Sequence, residues 1–290
     1  MKKVMIIGAS GMAGHMIYHY LKENTDWILL PLCFRTPVSS DSVTIDVRNT
    51  NSLIEIIQNF VPHIVINCVG VLVHGSYNDP KNAIYINSYF PHQLSEILHQ
   101  ISANSFLLHI STDCVFSGKK GLYSTEDEKD ALDVYGMTKN LGEINNDKDL
   151  TIRTSIIGPE IKANGEGLFH WFFQQKKIGK CKGYTKSIWS GITTLELAKQ
   201  IVEIILLPET GLIQISNGKP ITKYDLLQLI NDRFDLGIVI DAVDGPSVDK
   251  SIIPSTFYSR TCVPEYETMV DQLYNFMYDH KDLYKQYLGI

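Results

Sequence analysis

The sequence predicts an α/β fold: a doubly wound parallel sheet with a smaller, interleaved second lobe. Three observations carry this. Short apolar runs without alternation, such as Val4-Met5-Ile6-Ile7 and Ile64-Val65-Ile66, read as strands buried on both faces. Stretches of helical periodicity alternate with them up to Arg153, the order of a parallel sheet with crossover helices. Beyond Arg153 the pattern changes to an aromatic helix and short strands. Right-handed crossovers make the doubly wound arrangement the economical topology. The expected grouping is residues 1–154 with 187–216 in the sheet unit, and 155–186 with 217–290 in the second lobe.

Composition bounds the function. A chain of 290 residues can bury a large core. A net charge of −6 argues against a general nucleic-acid binder. The apolar run after Lys2 and Lys3 is short and broken by glycine, so neither a leader nor a membrane span is expected. The five cysteines are scattered without a Cys-x-x-Cys, which fits reduced thiols in a cytoplasmic protein and no metal site.

Taken in order, Val4-Met5-Ile6-Ile7 runs straight into Gly8-Ala9-Ser10-Gly11-Met12-Ala13-Gly14, and helical periodicity follows through Ile17, Tyr18 and Leu21. Strand, glycine turn and helix start are the context of a dinucleotide fingerprint. Gly8 allows the tight turn, Gly11 lets a pyrophosphate approach the backbone, and Gly14 lets the helix pack on the strand. The anion then sits at the positive end of the helix dipole. A second strand over 27–34, despite Pro31, ends at Arg35, where the adenosine ribose would lie. A guanidinium there suits the 2′-phosphate of NADP, with an ordinary surface arginine as the competing reading. The expected cofactor is NADPH, with NADH left open. A strand-like run over 43–47 holds Asp46, and 51–60 reads as an amphipathic helix. The strand at 63–68 leads into Val69-Gly70, whose position at a parallel strand's carboxyl end should meet the cofactor. A long helix over 80–101 follows.

Phe106-Leu107-Leu108-His109-Ile110 is a further buried strand and runs into Ser111-Thr112-Asp113-Cys114-Val115-Phe116. Tyr135-Gly136-Met137-Thr138-Lys139 opens a helix with Tyr135 and Lys139 on one face. If the strand end faces that helix, a hydroxyl, a phenol and an ammonium converge. A free phenol has a pKa of about 10; a nearby ammonium favours phenolate, and a lowering of about three units corresponds to about 4 kcal/mol. Tyr135 would then exchange a proton with a carbonyl or alcohol oxygen while Thr112 donates a hydrogen bond to it. Tyr-x-x-x-Lys alone occurs in many helices without function; the glycine turn upstream gives it weight.

Gly8-x-x-Gly11-x-x-Gly14, Ser111-Thr112-Asp113-x-Val115-Phe116-x-Gly118 and Tyr135-Gly136-x-x-Lys139 together resemble the extended short-chain dehydrogenase/reductase family. Within it the chain looks most like the dTDP-4-dehydrorhamnose reductases and related nucleotide-sugar reductases. Asn87, the Tyr123…Glu126-Asp127 approach and Gly142-Glu143 extend the match, which is dense over 1–160. The resemblance implies a Rossmann-type fold and a catalytic set of Thr112, Tyr135 and Lys139. Tyr135 would donate the proton to a sugar C4 ketone, and Lys139 would also hold the nicotinamide ribose. Gly8, Ser10, Gly11, Met12, Gly14, Arg35, Asp46, Val69, Gly70 and Pro159 fall at the cofactor, with Asp46 at adenine; Asn87 would order the catalytic helix or its water. The implied activity is NADPH-dependent reduction of a nucleotide-linked 4-keto-6-deoxy sugar, in rhamnose or other deoxysugar and surface polysaccharide biosynthesis. No metal is implied, and a homodimer is left open.

Departures narrow the reading. Asp113-Cys114 stands where nucleotide-sugar 4,6-dehydratases carry Asp-Glu, so dehydration is not expected. The reductase branch often has Tyr at this second position. Cys114 is either an acid–base group for epimerisation or a small packing residue. His74, in an unusual Val71-Leu72-Val73-His74-Gly75 segment, either reaches substrate or faces solvent. Asp113, Cys114, His74 and Trp189 are the candidate substrate contacts. Two other functions remain: a nucleotide-sugar epimerase that retains its cofactor, and a non-catalytic NADP-binding regulatory subunit, because the resemblance extends to the regulatory subunit of methionine adenosyltransferase.

In the second lobe, Gly158-Pro159 breaks a strand over 151–157. The aromatic run Leu168-Phe169-His170-Trp171-Phe172-Phe173 could stack on a base, and Lys176, Lys177, Lys180, Lys182 and Lys186 could neutralise a diphosphate. Residue by residue, a packed helix with a solvated basic end is the simpler reading. Thr193-Thr194-Leu195-Glu196 caps a helix. A strand over 211–216 and a helix over 223–234 follow, and the tail from Asp241 reads as short elements and turns.

Overall fold

The structure is a computed structural model that describes residues 1–255 and 262–289. β1 (Lys3–Ile7) is central to a parallel sheet. On one side it pairs with β2 (Ile28–Cys33), and β2 with β3 (Val43–Thr44). On the other side follow β4 (Ile64–Asn67), β5 (Phe106–Thr112) and β6 (Leu150–Thr154). The order β3-β2-β1-β4-β5-β6 reverses direction beside β1, which opens a crevice at the carboxyl ends of β1 and β4. Pro31 is tolerated in β2 because β3 pairs only with Leu32 and Cys33, leaving no neighbour on that side that needs its missing N–H.

The strands are continuously apolar because both faces are covered. Val4, Ile6, Leu108 and Ile152 pack towards α1 (Met12–Asn24). Met5, Ile7, Val65 and Leu107 join the opposite core with Leu53 and Ile57 of α2 (Thr50–Phe60). α3 (Val73–Asn78) follows β4. The long helix is α4 (Pro80–Ala83), a π-turn over Ile84–Tyr89, and α5 (Phe90–Ile101). The wider turn buries Asn87 and Ser88 together against α6 (Val134–Leu141), where Ser88 Oγ donates to Thr138 O at 2.8 Å.

Beyond β6 the chain leaves the sheet through β7 (Ile156–Ile157) and α7 (Leu168–Gln174). β8 (Lys180–Tyr184), β9 (Ser187–Trp189) and β10 (Ile192–Thr193) follow, and β10 pairs with β7. After α8 (Thr194–Leu206), β11 (Gly211–Gln214) returns as the seventh strand, beside β6. β12 (Ile221–Thr222), α9 (Lys223–Arg233), β13 (Val239–Val243) and β14 (Val248–Asp249) complete small sheets, β13 on β8 and both β12 and β14 on β9. Residues 187–189 thus pair with β12 and β14 and not with the parallel sheet.

The tail differs from its expectation. It contains α10 (Tyr266–Asp279), whose Tyr266, Met269, Val270, Leu273 and Met277 form a buried stripe at three- and four-residue spacing, and the short α11 (Lys285–Leu288). Among the described residues, no helix is long and apolar enough to cross a membrane.

Candidate active site

The carboxyl ends of β1, β2 and β4 open onto a cavity of about 380 Å³. The turn beneath it is built for close approach. Gly8 has φ +82°, in the left-handed region, and the N–H groups of Gly8 and Ala9 both donate to Leu32 O at 3.0 Å. A Cβ on Gly14 would stand 2.2 Å from Gly8 O, so only glycine lets α1 start here. Gly11 caps α1 without a side chain and no acid lies in the first turn, leaving the N–H groups of that turn for an anion. A dinucleotide diphosphate fits this cradle.

Gly8, Ser10, Gly11, Arg35, Asp46, Val69 and Gly70 line the cavity. Met12 and Gly14 lie in α1 outside its lining, and Pro159 is buried away from it. The Arg35 guanidinium lies 4.7 Å from the Phe34 ring centroid. Arg48, not singled out from sequence, also lines the cavity and grips Asp46, with Nε 2.9 Å from Oδ1 and 3.0 Å from Oδ2. That hydrogen bonding holds the Asp46 carboxyl below its ordinary pKa.

Thr112, Tyr135 and Lys139 do not line this cavity; Tyr135 is hydrogen-bonded with Thr112, and Lys139 interacts with Cys68 in the cavity wall. Thr112 ends β5, accepts the Cys114 N–H at 3.1 Å and donates to Asp113 Oδ1 at 3.1 Å. Asp133 caps α6 by accepting from Gly136 N at 2.9 Å. Gly136 lets α6 close on the strand end, since a Cβ there would lie 2.3 Å from Cys114 O. Lys139 is buried, and its Nζ donates to Ile110 O at 2.8 Å. Burial pulls its pKa down to about 8, opposed by the Glu143 carboxylate. Burial also pushes the Tyr135 phenol above its ordinary value, reinforced by Cys114 and opposed by a hydrogen bond with Thr112. This corrects the expectation of a phenol lowered by Lys139: desolvation dominates, and Tyr135 keeps its proton at neutral pH.

Two networks hold the cluster. Asn87 Oδ1 accepts from Val71 N at 2.8 Å, while its Nδ2 donates to Val71 O at 3.0 Å and to Thr138 Oγ1 at 3.1 Å. It thereby ties the loop after β4 to α6. Glu143, two residues past the end of α6, is gripped by the fully buried Arg153 through Nε at 2.9 Å and Nη2 at 2.7 Å, and accepts from Ser111 Oγ at 2.7 Å.

A second cavity of about 380 Å³ lies between Thr112's neighbours and the small sheets. Asp113, Cys114, Ser155, Trp189, Lys223 and Lys250 are among its lining residues, and Trp189 Nε1 donates to Ser155 Oγ at 2.8 Å. Burial raises the Asp113 pKa against the pull of Lys250 and pushes the Cys114 thiol up to about 12, so Cys114 stays neutral. His74 lies on exposed α3, bonded to Asn78, and lines neither cavity. Phe169, Phe172 and Phe173 are core residues rather than a stacking platform. Lys176, Lys177, Lys180, Lys182 and Lys186 line neither cavity; the lysines that do are Lys223 and Lys250 here and Lys162 at the first. Sequence gave no local signal for these three, because folding alone brings them in from distant segments.

Sheet order, glycine turn and the Thr112–Tyr135–Lys139 cluster define an extended short-chain dehydrogenase/reductase. Residues 1–174 match the RmlD substrate binding domain family, and the chain belongs to that family. The dTDP-4-dehydrorhamnose reductase of Aggregatibacter actinomycetemcomitans is 32% identical over 145 residues, 49% of this chain and 46% of that protein. Methionine adenosyltransferase 2 subunit beta of Bos taurus is 26% identical over 250 residues, 81% of this chain and 73% of that protein. Among solved structures, a hypothetical dTDP-4-dehydrorhamnose reductase from Sulfolobus tokodaii has a TM-score of 0.74 at 26% identity, covering 87% of this chain and 92% of that one. The Bacillus anthracis dTDP-4-dehydrorhamnose reductase in complex with NADP shares the fold, with a TM-score of 0.79 at 20% identity over 95% of this chain and 100% of that one.

Proposed function

We propose that this protein reduces the C4 ketone of a nucleotide-linked 4-keto-6-deoxy sugar with NADPH, in deoxysugar biosynthesis. The observation that carries the proposal is the position of the Thr112–Tyr135–Lys139 set between two cavities. Lys139 interacts with Cys68 in the wall of the first, and Tyr135 with Cys114 and Asp113 in the wall of the second. The nicotinamide, when bound, supplies the hydride. Tyr135, protonated at neutral pH, donates its proton to the substrate oxygen. The Thr112 hydroxyl, held by Asp113 in this structure, turns to steady the charge on that oxygen. The buried Lys139 ammonium stabilises the phenolate left behind. Lys223 and Lys250 offer positive charge to the diphosphate of a nucleotide sugar.

Arg35 and Arg48 support NADPH over NADH by offering two guanidinium groups at the end of β2 and just after β3. A neutral Cys114, with no carboxylic acid following Asp113, supports reduction over dehydration. The test is NADPH consumption by purified protein against a panel of nucleotide-linked 4-keto-6-deoxy sugars. Oxidation with one sugar preferred supports the proposal; NADPH binding without oxidation of any sugar sinks it.

One observation favours a second reading, a regulatory subunit. The relative that covers 81% of this chain is a methionine adenosyltransferase subunit, whereas the reductase relative covers 49%. Stoichiometric co-elution with a methionine adenosyltransferase catalytic subunit, with altered activity of that subunit, would support it.

A further inference from the structure

We infer that Lys162 reaches over from the second lobe to neutralise the diphosphate of the bound dinucleotide, making the 158–167 segment a strap across the cofactor cleft. This rests on the dinucleotide reading of the first cavity. Among the described residues, all others lining that cavity come from the first 86 positions of the chain, and Lys162 alone arrives from beyond β7. Its side chain is exposed, and its ammonium makes no ion pair among the described residues.

The charge of the cleft leaves a place for it. Asp46 is occupied by Arg48, and Asp79 caps α4 by accepting the Asn82 N–H at 3.1 Å. Arg35 and Arg48 stand beyond the carboxyl ends of β2 and β3, where the adenosine ribose falls. At the glycine turn the protein offers backbone N–H groups, Lys162 is the remaining cation among the described residues of the cavity lining, and a diphosphate brings two negative charges.

The strap is anchored beside that turn. A Cβ on Gly167 would lie 3.3 Å from Met12 Sδ, so the strap's far end packs on the first residue of α1. Glu160 closes the loop by accepting the Gly167 N–H at 2.8 Å. The C-terminal segment fixes Glu160 in turn: Glu160 N donates to Tyr287 Oη at 3.0 Å, and Gln286 Nε2 donates to Glu160 O at 2.6 Å. His170 Nδ1 lies 2.9 Å from the same Tyr287 oxygen. Residues 162–164 stay exposed between these anchors, free to carry Lys162 onto the ligand.

The experiment is calorimetric titration of wild type, Lys162→Gln and Lys162→Arg with two probes: NADPH, and adenosine 2′-monophosphate, which keeps the 2′-phosphate but has no diphosphate. Lys162→Gln should weaken NADPH binding roughly fivefold to tenfold, flatten its salt dependence and leave adenosine 2′-monophosphate unchanged. Lys162→Arg should bind like wild type. Wild-type NADPH affinity in Lys162→Gln would overturn the inference, and so would an equal loss for both probes, which would put Lys162 at the adenosine end. Wild type that binds neither probe would refute the dinucleotide reading of the cavity and this inference with it. The substitution is at an exposed position, so an unchanged melting temperature should accompany it.

Discussion

Lys139→Met measures what the fold sustains to keep an ammonium beneath the candidate active site. Burial places the Lys139 pKa at about 8 against an ordinary value of 10.5. At pH 7 the charged form is therefore disfavoured in the folded state by about 3 kcal/mol relative to the unfolded chain. The folded pKa lies below the unfolded one, so the penalty is complete below about pH 8 and fades as pH rises towards 10.5. By pH 10 about 1 kcal/mol of it remains. Methionine removes the penalty and also the hydrogen bond to Ile110 O at 2.8 Å, a loss that does not vary with pH. The unfolding free energy of the variant minus that of wild type should thus fall by about 2.5 kcal/mol between pH 7 and pH 10. Urea unfolding of both proteins, followed by far-ultraviolet circular dichroism across that range, reads this difference directly. Stability curves that run parallel with pH would refute the reasoning.

Two further substitutions address the scaffold. Gly14→Ala places a Cβ 2.2 Å from Gly8 O and 2.8 Å from Ala9 Cα, both backbone atoms, so α1 must shift. Titration should show NADPH affinity lowered by about tenfold or more, and urea unfolding a loss of about 1–3 kcal/mol. Glu143→Gln leaves the fully buried Arg153 without its carboxylate and should cost about 3–5 kcal/mol in urea unfolding at pH 7. The Glu143 pKa is net lowered in the folded state: burial raises it, but the Arg153 hydrogen bonds and charge outweigh that. Its contribution is present above the unfolded carboxyl pKa of about 4.3, and the gap between wild type and variant should close as pH falls below that value.

The sheet was legible because strands buried on both faces must be continuously apolar, and the glycine turn because close approach admits no other residue. That Tyr135 and Lys139 stand on one helix was legible because helical spacing fixes which side chains share a face. Spacing says nothing of desolvation, so the direction of the Tyr135 shift had the wrong sign. α10 was missed although its apolar stripe is present, because Glu265 makes no side-chain cap bond and the start signal is weak. Arg48 had a faint local signal in Asp46-Val47-Arg48. Lys162, Lys223 and Lys250 had none, since they meet their cavities only through the packing of the second lobe on the sheet.

The most direct test of the proposed chemistry sets wild type beside Tyr135→Phe, measuring NADPH binding by titration and NADPH oxidation with the preferred nucleotide 4-keto-6-deoxy sugar. Phenylalanine keeps the ring packed and removes only the proton donor. The account predicts equal NADPH affinity and turnover lowered by roughly 10²- to 10⁴-fold. Turnover at the wild-type level in Tyr135→Phe would contradict it.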